Sequence, residues 1–450
     1  MKTLRFFVPC IVVLLFASIN TKAQNIDIQG YELKFTCLNI DESHLYLQGY
    51  YGQEAYIYDS AKVKGHKNIV FKNKKRVMPS GVYTLIDRFG NEYLDLMIDK
   101  SRHFSVTGVS LDRLGNSALA EGSEENKPFF AFQKQMALEA FHETSPQTMD
   151  NTPKLFYEST PESFLGHYLK AKYYINPILP QPDEEDTADA SLQYQQLIDH
   201  YFDYYTFEDA RLLRTPVYLD LRNYFFEVLP QNAQLIVSKA NEFLQRFKDK
   251  ESYEYYTALL LSLFEHSSNN LVHDQVFVAL YDQHCADKNV SSIPEDLQQY
   301  YQRSADRKRK LQPGQTIPAL VSYDINNAKH ASSDIDKNLI IIWFWDADCD
   351  DCIVETPKLY EFYKDFANYY NLEVFAVAIT DDLEKWDKFC KNNELSWVNV
   401  NYYMNEPNYD FIEYFDLIST PVIYLIDKNH TIIDRNFPLE EIHERLRIKN

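Results

Sequence analysis

Apolar and polar residues alternate along the first part of the chain. Residues 31–37 (YELKFTC) change character at every position, which is the period of a half-buried β-strand. The same pattern, punctuated by turn residues at 79–81 and 89–91, predicts further strands at 45–48, 55–58, 69–71, 81–86, 93–98 and 104–107. Several short strands at this spacing predict a β-rich, sandwich-like or barrel-like domain over residues 24–117.

The apolar pattern changes to helical spacing after residue 118. Ile236, Ala240 and Phe243 fall on one helical face, and Tyr256 and Leu260 fall on another. Aromatic and aliphatic stripes of this kind form packed cores more often than cofactor sites. We therefore predict an α-helical domain over residues 118–310, with a solvated acidic loop at 183–186 and a basic linker at 307–310.

The last 140 residues, 311–450, alternate between short buried strands and helices. Strands are predicted at 339–345, 372–379, 422–426 and 431–434, and helices at 351–369, 383–392 and 439–447. This order indicates an α/β domain with a mixed sheet. The whole chain is therefore predicted to be multidomain: β-rich at the N-terminus, α-helical in the middle and α/β at the C-terminus.

The overall charge narrows the classes of partner. The chain has a formal net charge of −21, with 66 acidic residues against 45 basic residues. Binding to phosphate groups depends on an excess of Lys and Arg, so this balance disfavours nucleic acid and anionic membrane surfaces as partners.

The N-terminus has the features of a secretory signal peptide. Lys2 and Arg5 precede an apolar run over residues 6–19, and Ala23 offers a small residue for cleavage before Gln24. We predict a signal peptide over residues 1–23, with an uncleaved anchor as the alternative. Because the apolar run is short for a span, no stable membrane span is expected after cleavage. The mature chain is then expected outside the cytoplasm, where disulfides can form.

The cysteines single out one pair. Cys349 and Cys352 are separated by two residues, and they follow a predicted buried strand at the start of a predicted helix. Backbone N–H groups at a helix start favour a thiolate at the first cysteine, and the second lies within disulfide reach. A zinc site is the alternative, but it would need a second cysteine or histidine pair nearby, and the sequence has none. The other mature cysteines, Cys37, Cys285 and Cys390, are predicted to be buried spectators.

The C-terminal motifs resemble the thioredoxin superfamily, and specifically its TlpA/ResA-like branch of bacterial envelope proteins. The motif at 343–352 (WFWDADCDDC) resembles the strand and active-site turn of that family. Pro357 matches the proline of its active-site helix, and Thr420-Pro421 matches the loop whose proline is cis in the family. Residues 313–318 resemble its lead-in segment. The resemblance implies a thioredoxin-like fold over residues 311–450 and a periplasmic or cell-envelope location.

Two positions depart from the family pattern. Asp348 stands where the family commonly has Trp, and Trp343 stands where most thioredoxins have a buried Asp. The proton acceptor must then come from elsewhere, and Glu355, which matches an acidic residue of the TlpA/ResA branch, is the predicted candidate. The alternative is that Glu355 is an inert residue of the first helical turn. Peroxidase chemistry is not expected. Peroxiredoxins, which share the fold, need a Thr three residues and a Pro seven residues before the reactive cysteine, and here those positions are Asp346 and Ile342.

The resemblance implies thiol–disulfide exchange. Cys349 attacks a disulfide, Cys352 resolves the mixed disulfide, and the loop at Thr420 and Pro421 binds substrate. No metal or organic cofactor is needed. The expected partners are protein disulfides and an envelope electron donor, and the carboxylates around Cys349 favour a reductase. The alternative is a non-enzymatic envelope protein that binds a ligand or a protein and uses the thioredoxin fold as a scaffold.

Overall fold

The structure is a computed structural model that describes residues 30–141, 146–173, 187–266, 270–286, 290, 293–404 and 410–447. The predicted signal peptide and the acidic run at 183–186 lie outside the described residues. Within the described segments, the search for a helix both long and apolar enough to cross a membrane finds none.

The N-terminal region forms two four-stranded sheets, as the alternating pattern predicts. The strands are β1 (Tyr31–Leu38), β2 (His44–Tyr51), β3 (Glu54–Lys62), β4 (Asn68–Asn73), β5 (Gly81–Ile86), β6 (Glu92–Ile98), β7 (His103–Ser110) and β8 (Leu119–Glu121). One sheet has the order β4-β1-β7-β8 and the other the order β3-β2-β5-β6. Neighbouring strands are antiparallel except β1 and β7, which are parallel. Buried residues of both sheets, such as Leu33, Phe35, Leu47 and Leu85, share one core.

The middle region is helical, as predicted. Its helices are α1 (Leu114–Ser117), α2 (Asn126–Phe141), α3 (Pro146–Ser159), α4 (Phe164–Tyr173), α5 (Thr187–His200), α6 (Ala233–Gln245), α7 (Lys250–Glu265), α8 (Leu271–His284) and α9 (Glu295–Lys310). A π-helical turn spans Asn223–Val228. Phe243 is buried and packs edge-on against Phe207, Phe247 and Tyr256. The aromatic stripe is therefore core.

The basic run at 307–310 differs from the predicted linker. It forms the last turn of α9, where cations are favoured by the partial negative charge of the helix C-terminus. Lys308 is buried, with 3% of its surface exposed, and it forms ion pairs with Asp274 and Asp416. The basic run therefore fastens α9 to Asp274 and Asp416 and is not a solvated linker.

The C-terminal region forms one seven-stranded mixed sheet. The strands are β9 (Val321–Tyr323), β10 (Lys329–Ala331), β11 (Leu339–Trp345), β12 (Leu372–Ala378), β13 (Val398–Asn401), β14 (Val422–Asp427) and β15 (Ile432–Arg435), in the order β10-β9-β13-β12-β11-β14-β15. The helices are α10 (Asp350–Tyr370), α11 (Leu383–Asn392), α12 (Phe411–Tyr414) and α13 (Ile442–Arg447). A 3₁₀ turn, Leu439–Glu441, precedes α13.

Strand β11 lies inside the sheet, and its two faces contribute side chains to two separate hydrophobic cores. Ile341, Trp343 and Trp345 face the core that holds α10, and Ile342 and Phe344 face the core on the opposite side. Strands β12 and β13 run parallel to β11 and β14 runs antiparallel to it. Since β11 is buried on both faces, its sequence is a continuous apolar run.

By compactness the chain divides into two units. One comprises residues up to 229 together with 242–256, and the other comprises 230–241 together with residues from 257 onward. These units follow spatial packing, whereas the predicted domain boundaries follow changes in the residue pattern. The boundaries after residues 117 and 310 therefore stay predictions.

Candidate active site

A tight turn joins the end of β11 to the start of α10. The Asp346 carbonyl accepts a hydrogen bond from the Cys349 N–H at 3.3 Å, and Asp346 Oδ1 accepts one from the Asp348 N–H at 2.9 Å. Cys349 has extended backbone geometry and is the N-cap residue of α10. Asp346 thus folds the turn so that a cysteine occupies the position where helical N–H groups are free.

The Cys349 thiol is partly exposed and makes two contacts. Its sulfur accepts a hydrogen bond from the Cys352 N–H at 3.2 Å, in the way that a capping side chain does. Its S–H donates to the Thr420 carbonyl oxygen at 3.2 Å. The first contact is made by a donor that also stabilises a thiolate. The structure therefore places a reachable thiol at the N-terminus of α10.

Cys352 lies in the opposite environment. It is fully buried, and its sulfur accepts a hydrogen bond from the Asp346 N–H at 3.5 Å. Burial raises the pKa of the Cys352 thiol to about 12, with a further contribution from the neighbouring Cys349. Both cysteines are free thiols in this structure. The pair is thus asymmetric: Cys349 is accessible, and Cys352 is shielded and holds its proton at neutral pH.

The predicted substrate loop lies beside the pair. The Thr420–Pro421 peptide is cis, as the resemblance implies, and the Thr420 carbonyl is the acceptor for Cys349. Ile418 and Ser419 are exposed just before it. The fold therefore brings together Cys349, Cys352, Thr420 and Pro421 from distant parts of the sequence.

Glu355 lies on the first turns of α10 and is paired with a lysine. Its carboxylate accepts a hydrogen bond from Lys358 Nζ at 2.7 Å, and 26% of its side chain is exposed. Among the described contacts, the partner of Glu355 is Lys358 and not Cys352. Its role as proton acceptor stays a prediction.

Trp343 occupies the position where most thioredoxins have a buried Asp. Its indole N–H donates to Thr356 Oγ1 at 3.1 Å, and both residues are buried. Thr356 lies one helical turn after Cys352, so this bond fastens β11 to the part of α10 that carries the cysteines. Sequence reasoning identified the position of Trp343 but missed Thr356, because a lone Thr in a helix carries no recognisable signal.

Carboxylates surround the turn, and one lysine partly balances them. Burial raises the pKa of Asp346, and Asp381 raises it further, whereas Lys385 lowers it. Lys385 also forms an ion pair with Asp348. Asp350 and Asp351 are exposed on the first turn of α10. The surroundings of Cys349 therefore carry an excess of negative charge.

Cys37, Cys285 and Cys390 lie outside the turn between β11 and α10, and Cys285 and Cys390 are partly exposed rather than buried as predicted. In the described segments, the search for groups of three or more His, Cys, Asp or Glu residues suited to a metal finds none. Cys37 is buried among the strands of the N-terminal sheets. Cys390 packs against the α10 core, and burial raises the pKa of its thiol to about 12.

Comparisons with known proteins give one family match and several similar solved structures. Residues 336–432 match the family model described as thioredoxin-like. A domain of a possible thiol-disulfide isomerase from Cytophaga hutchinsonii is 30% identical, covering 31% of this chain and 92% of that chain, with a TM-score of 0.29. A thioredoxin-like protein from Bacteroides caccae is 16% identical, covering 61% of this chain and all of that chain, with a TM-score of 0.44. No curated protein matches the chain.

Proposed function

We propose, from the premise that this chain belongs to the thioredoxin superfamily through its C-terminal domain, that it is an envelope thiol–disulfide oxidoreductase acting through Cys349 and Cys352. The observation that carries the proposal is the asymmetry of the pair. Cys349 is accessible and caps α10 with its sulfur, whereas Cys352 is buried and weakly acidic. This asymmetry supports Cys349 as the attacking thiol and Cys352 as the resolving thiol.

The exchange proceeds in two balanced steps. The Cys349 thiolate bonds to one sulfur of a substrate disulfide, the substrate S–S bond breaks, and the other sulfur leaves as a thiolate that takes up a proton. Cys352 then loses its proton and attacks Cys349 Sγ, which releases the first substrate sulfur as a second thiol. The chain is left with a Cys349–Cys352 disulfide, and a thiol donor of the envelope restores the reduced pair.

The second step needs a proton acceptor. A thiol whose pKa is about 12 is almost fully protonated at neutral pH, so a base that receives the Cys352 proton would accelerate resolution. Glu355 is the proposed acceptor. It lies one helical turn beyond Cys352, and its bond to Lys358 is at a partly exposed position where an ion pair is weak.

The proposed substrates are protein disulfides. The segment of Ile418, Ser419 and Thr420 is accessible next to Cys349, and extended substrate backbone can pair with such a segment. The β-rich and helical regions would then restrict which proteins approach. The envelope location rests on the signal-like sequence at residues 1–23.

A trapping experiment tests the proposal. Mature C352S protein, expressed in the envelope, should accumulate mixed disulfides between Cys349 and other proteins, because the resolving thiol is missing. The matched control is C390S, which keeps the pair and should accumulate none. If C352S captures only small thiols, the substrates are not proteins. If wild-type protein with dithiothreitol fails to reduce insulin and C352S captures nothing, the scaffold alternative holds instead.

A further inference from the structure

A buried group of charges links helices α8 and α9 to the C-terminal sheet. Lys308 Nζ of α9 donates to Asp274 Oδ1 of α8 at 2.6 Å, and Arg435 of β15 pairs with the other oxygen of Asp274. At most 5% of each of these three side chains is exposed. Charges this deeply buried hold a fixed geometry, because separating them would leave an unpaired ion without water.

The group extends to Asp416, which lies close to the active site along the chain. The Asp416 carboxylate forms an ion pair with the Arg307 guanidinium at 3.2 Å and another with Lys308 Nζ at 3.6 Å. It follows α12 and has a φ of 51°, in the left-handed region that Asp adopts more readily than most residues other than glycine. The ion pairs from α9 therefore hold the carboxylate of a residue in the turn that follows α12.

From Asp416 a short segment leads to the reactive thiol. The Leu417 N–H donates to the Ile412 carbonyl, Ile418 and Ser419 are exposed, and the Thr420 carbonyl accepts the S–H of Cys349 at 3.2 Å. Asp416 is thus the charged anchor at the start of the segment that ends on Cys349. A shift at Asp416 would move the Thr420 oxygen relative to the sulfur.

We infer that Asp416, held by Arg307 and Lys308, is a positioning residue that sets the reactivity of Cys349 through the Thr420 carbonyl. The carbonyl holds the S–H of Cys349 in a hydrogen bond that must break before the sulfur can attack. Loosening Asp416 weakens this contact and makes Cys349 more reactive. Helix α9 of the helical region thereby tunes the thiol without touching it. This inference rests on the proposed role of Cys349 as nucleophile.

The helix itself supplies a matched control. Arg309 lies on the same helix as Arg307 and has similar exposure, but its carboxylate partners, Asp282 and Asp306, belong to α8 and α9. Replacing Arg307 removes a cation and its ion pair with Asp416, and replacing Arg309 removes a cation and its ion pairs with Asp282 and Asp306. Only the replacement of Arg307 releases a contact to the segment that leads to Thr420.

The test compares R307M, R309M and the conservative variant R307K in the full mature chain. Under reducing conditions at pH 7, the rate of Cys349 alkylation by iodoacetamide is followed by peptide mass spectrometry, and Tm is measured for each variant. R307M should increase the rate about threefold, the effect of one weakened hydrogen bond, whereas R309M and R307K should leave it unchanged. D416N should also increase the alkylation rate, because it removes the carboxylate that pairs with Arg307. It replaces R307M in the comparison if R307M does not fold.

Two outcomes would overturn the inference. Either R307M and D416N fold and alkylate at the wild-type rate, or R309M accelerates alkylation as much as R307M does. A merely structural ion pair would lower Tm in R307M, R309M and D416N and leave the alkylation rate of Cys349 unchanged. The proposed function fails separately, if wild-type Cys349 and Cys352 cannot form a disulfide under oxidising conditions.

Discussion

Glu355 is the residue whose predicted role most needs a direct test. We expect E355Q to slow the resolution of a mixed disulfide by about tenfold or more, because an amide cannot accept the Cys352 proton. Stopped-flow measurement of product release with a model mixed disulfide on Cys349 reports this step. The matched control is E361Q, since Glu361 also lies on α10 and pairs with a lysine three residues later, Lys364. Equal rates for E355Q and E361Q would show that Glu355 is inert.

The buried Cys352 thiol predicts a pH dependence of stability. Its pKa is raised from about 9 to about 12 in the folded chain, so the folded state keeps a proton that the unfolded state loses above pH 9. The stabilisation is complete below pH 9 and is lost as the pH rises towards 12, with a slope of about 1.4 kcal/mol per pH unit. Urea unfolding of the reduced protein should show a steeper loss for wild type than for C352A over this range. Parallel curves would contradict the prediction.

The bond between Trp343 and Thr356 connects an element of the sheet to the helix of the site. Removing either partner leaves a buried polar group unpaired, which costs about 1–3 kcal/mol, whereas removing both leaves none. We therefore expect W343F and T356V to be non-additive, with the double variant more stable than the sum of the singles by about 1 kcal/mol in urea unfolding. The control pair is W345F and T356V. The indole N–H of Trp345 has no hydrogen-bond partner among the described residues, so that pair should be additive. Additivity in both pairs would refute the coupling.

At the level of elements, the sequence predicts most of the strands, including the four-residue β15, and misses β8, β9, β10 and β13. Strand β11 stands out because seven consecutive apolar residues are needed where both faces are buried. Strand β13 has the sequence VNVN, and its polar residues are satisfied only in the fold: Asn401 donates to the Thr380 carbonyl, and Asn399 donates to the Leu395 carbonyl. Such partners are not visible in a local pattern.

The parts of the site that are close together in the sequence could be predicted, and the parts that the fold assembles could not. Cys349 and Cys352 are separated by only two residues, and Thr420-Pro421 is a recognisable motif. The anchor at Asp416 depends on Arg307 and Lys308 of α9, and Lys308 is paired in turn with Asp274 of α8. These three segments lie far apart in the sequence and form no periodic pattern. From the sequence alone the basic run at 307–310 is interpreted as a solvated linker, because the carboxylates that it contacts, Asp274 and Asp416, are distant in the sequence.

For the whole molecule, the negative charge predicts a preference among disulfides. The net charge is −21, and Asp350 and Asp351 are exposed beside Cys349. A cationic disulfide should therefore react faster than an anionic one of similar size, and the difference should shrink as salt screens it. We expect cystamine to exceed dithiodipropionate in rate by about tenfold or more at low ionic strength, and by less in the D350N/D351N variant. Equal rates for the two disulfides at low salt would count against electrostatic selection.

The central claim is that Cys349 and Cys352 form one reversible redox couple while the other cysteines stay reduced. The most direct measurement equilibrates the mature protein in glutathione buffers of graded potential, alkylates the free thiols and maps the disulfides by mass spectrometry. The account predicts a single two-electron transition in which the Cys349–Cys352 disulfide appears and disappears, with Cys37, Cys285 and Cys390 alkylated throughout. A pair that never oxidises, or a disulfide between Cys390 and either member of the pair, would contradict it.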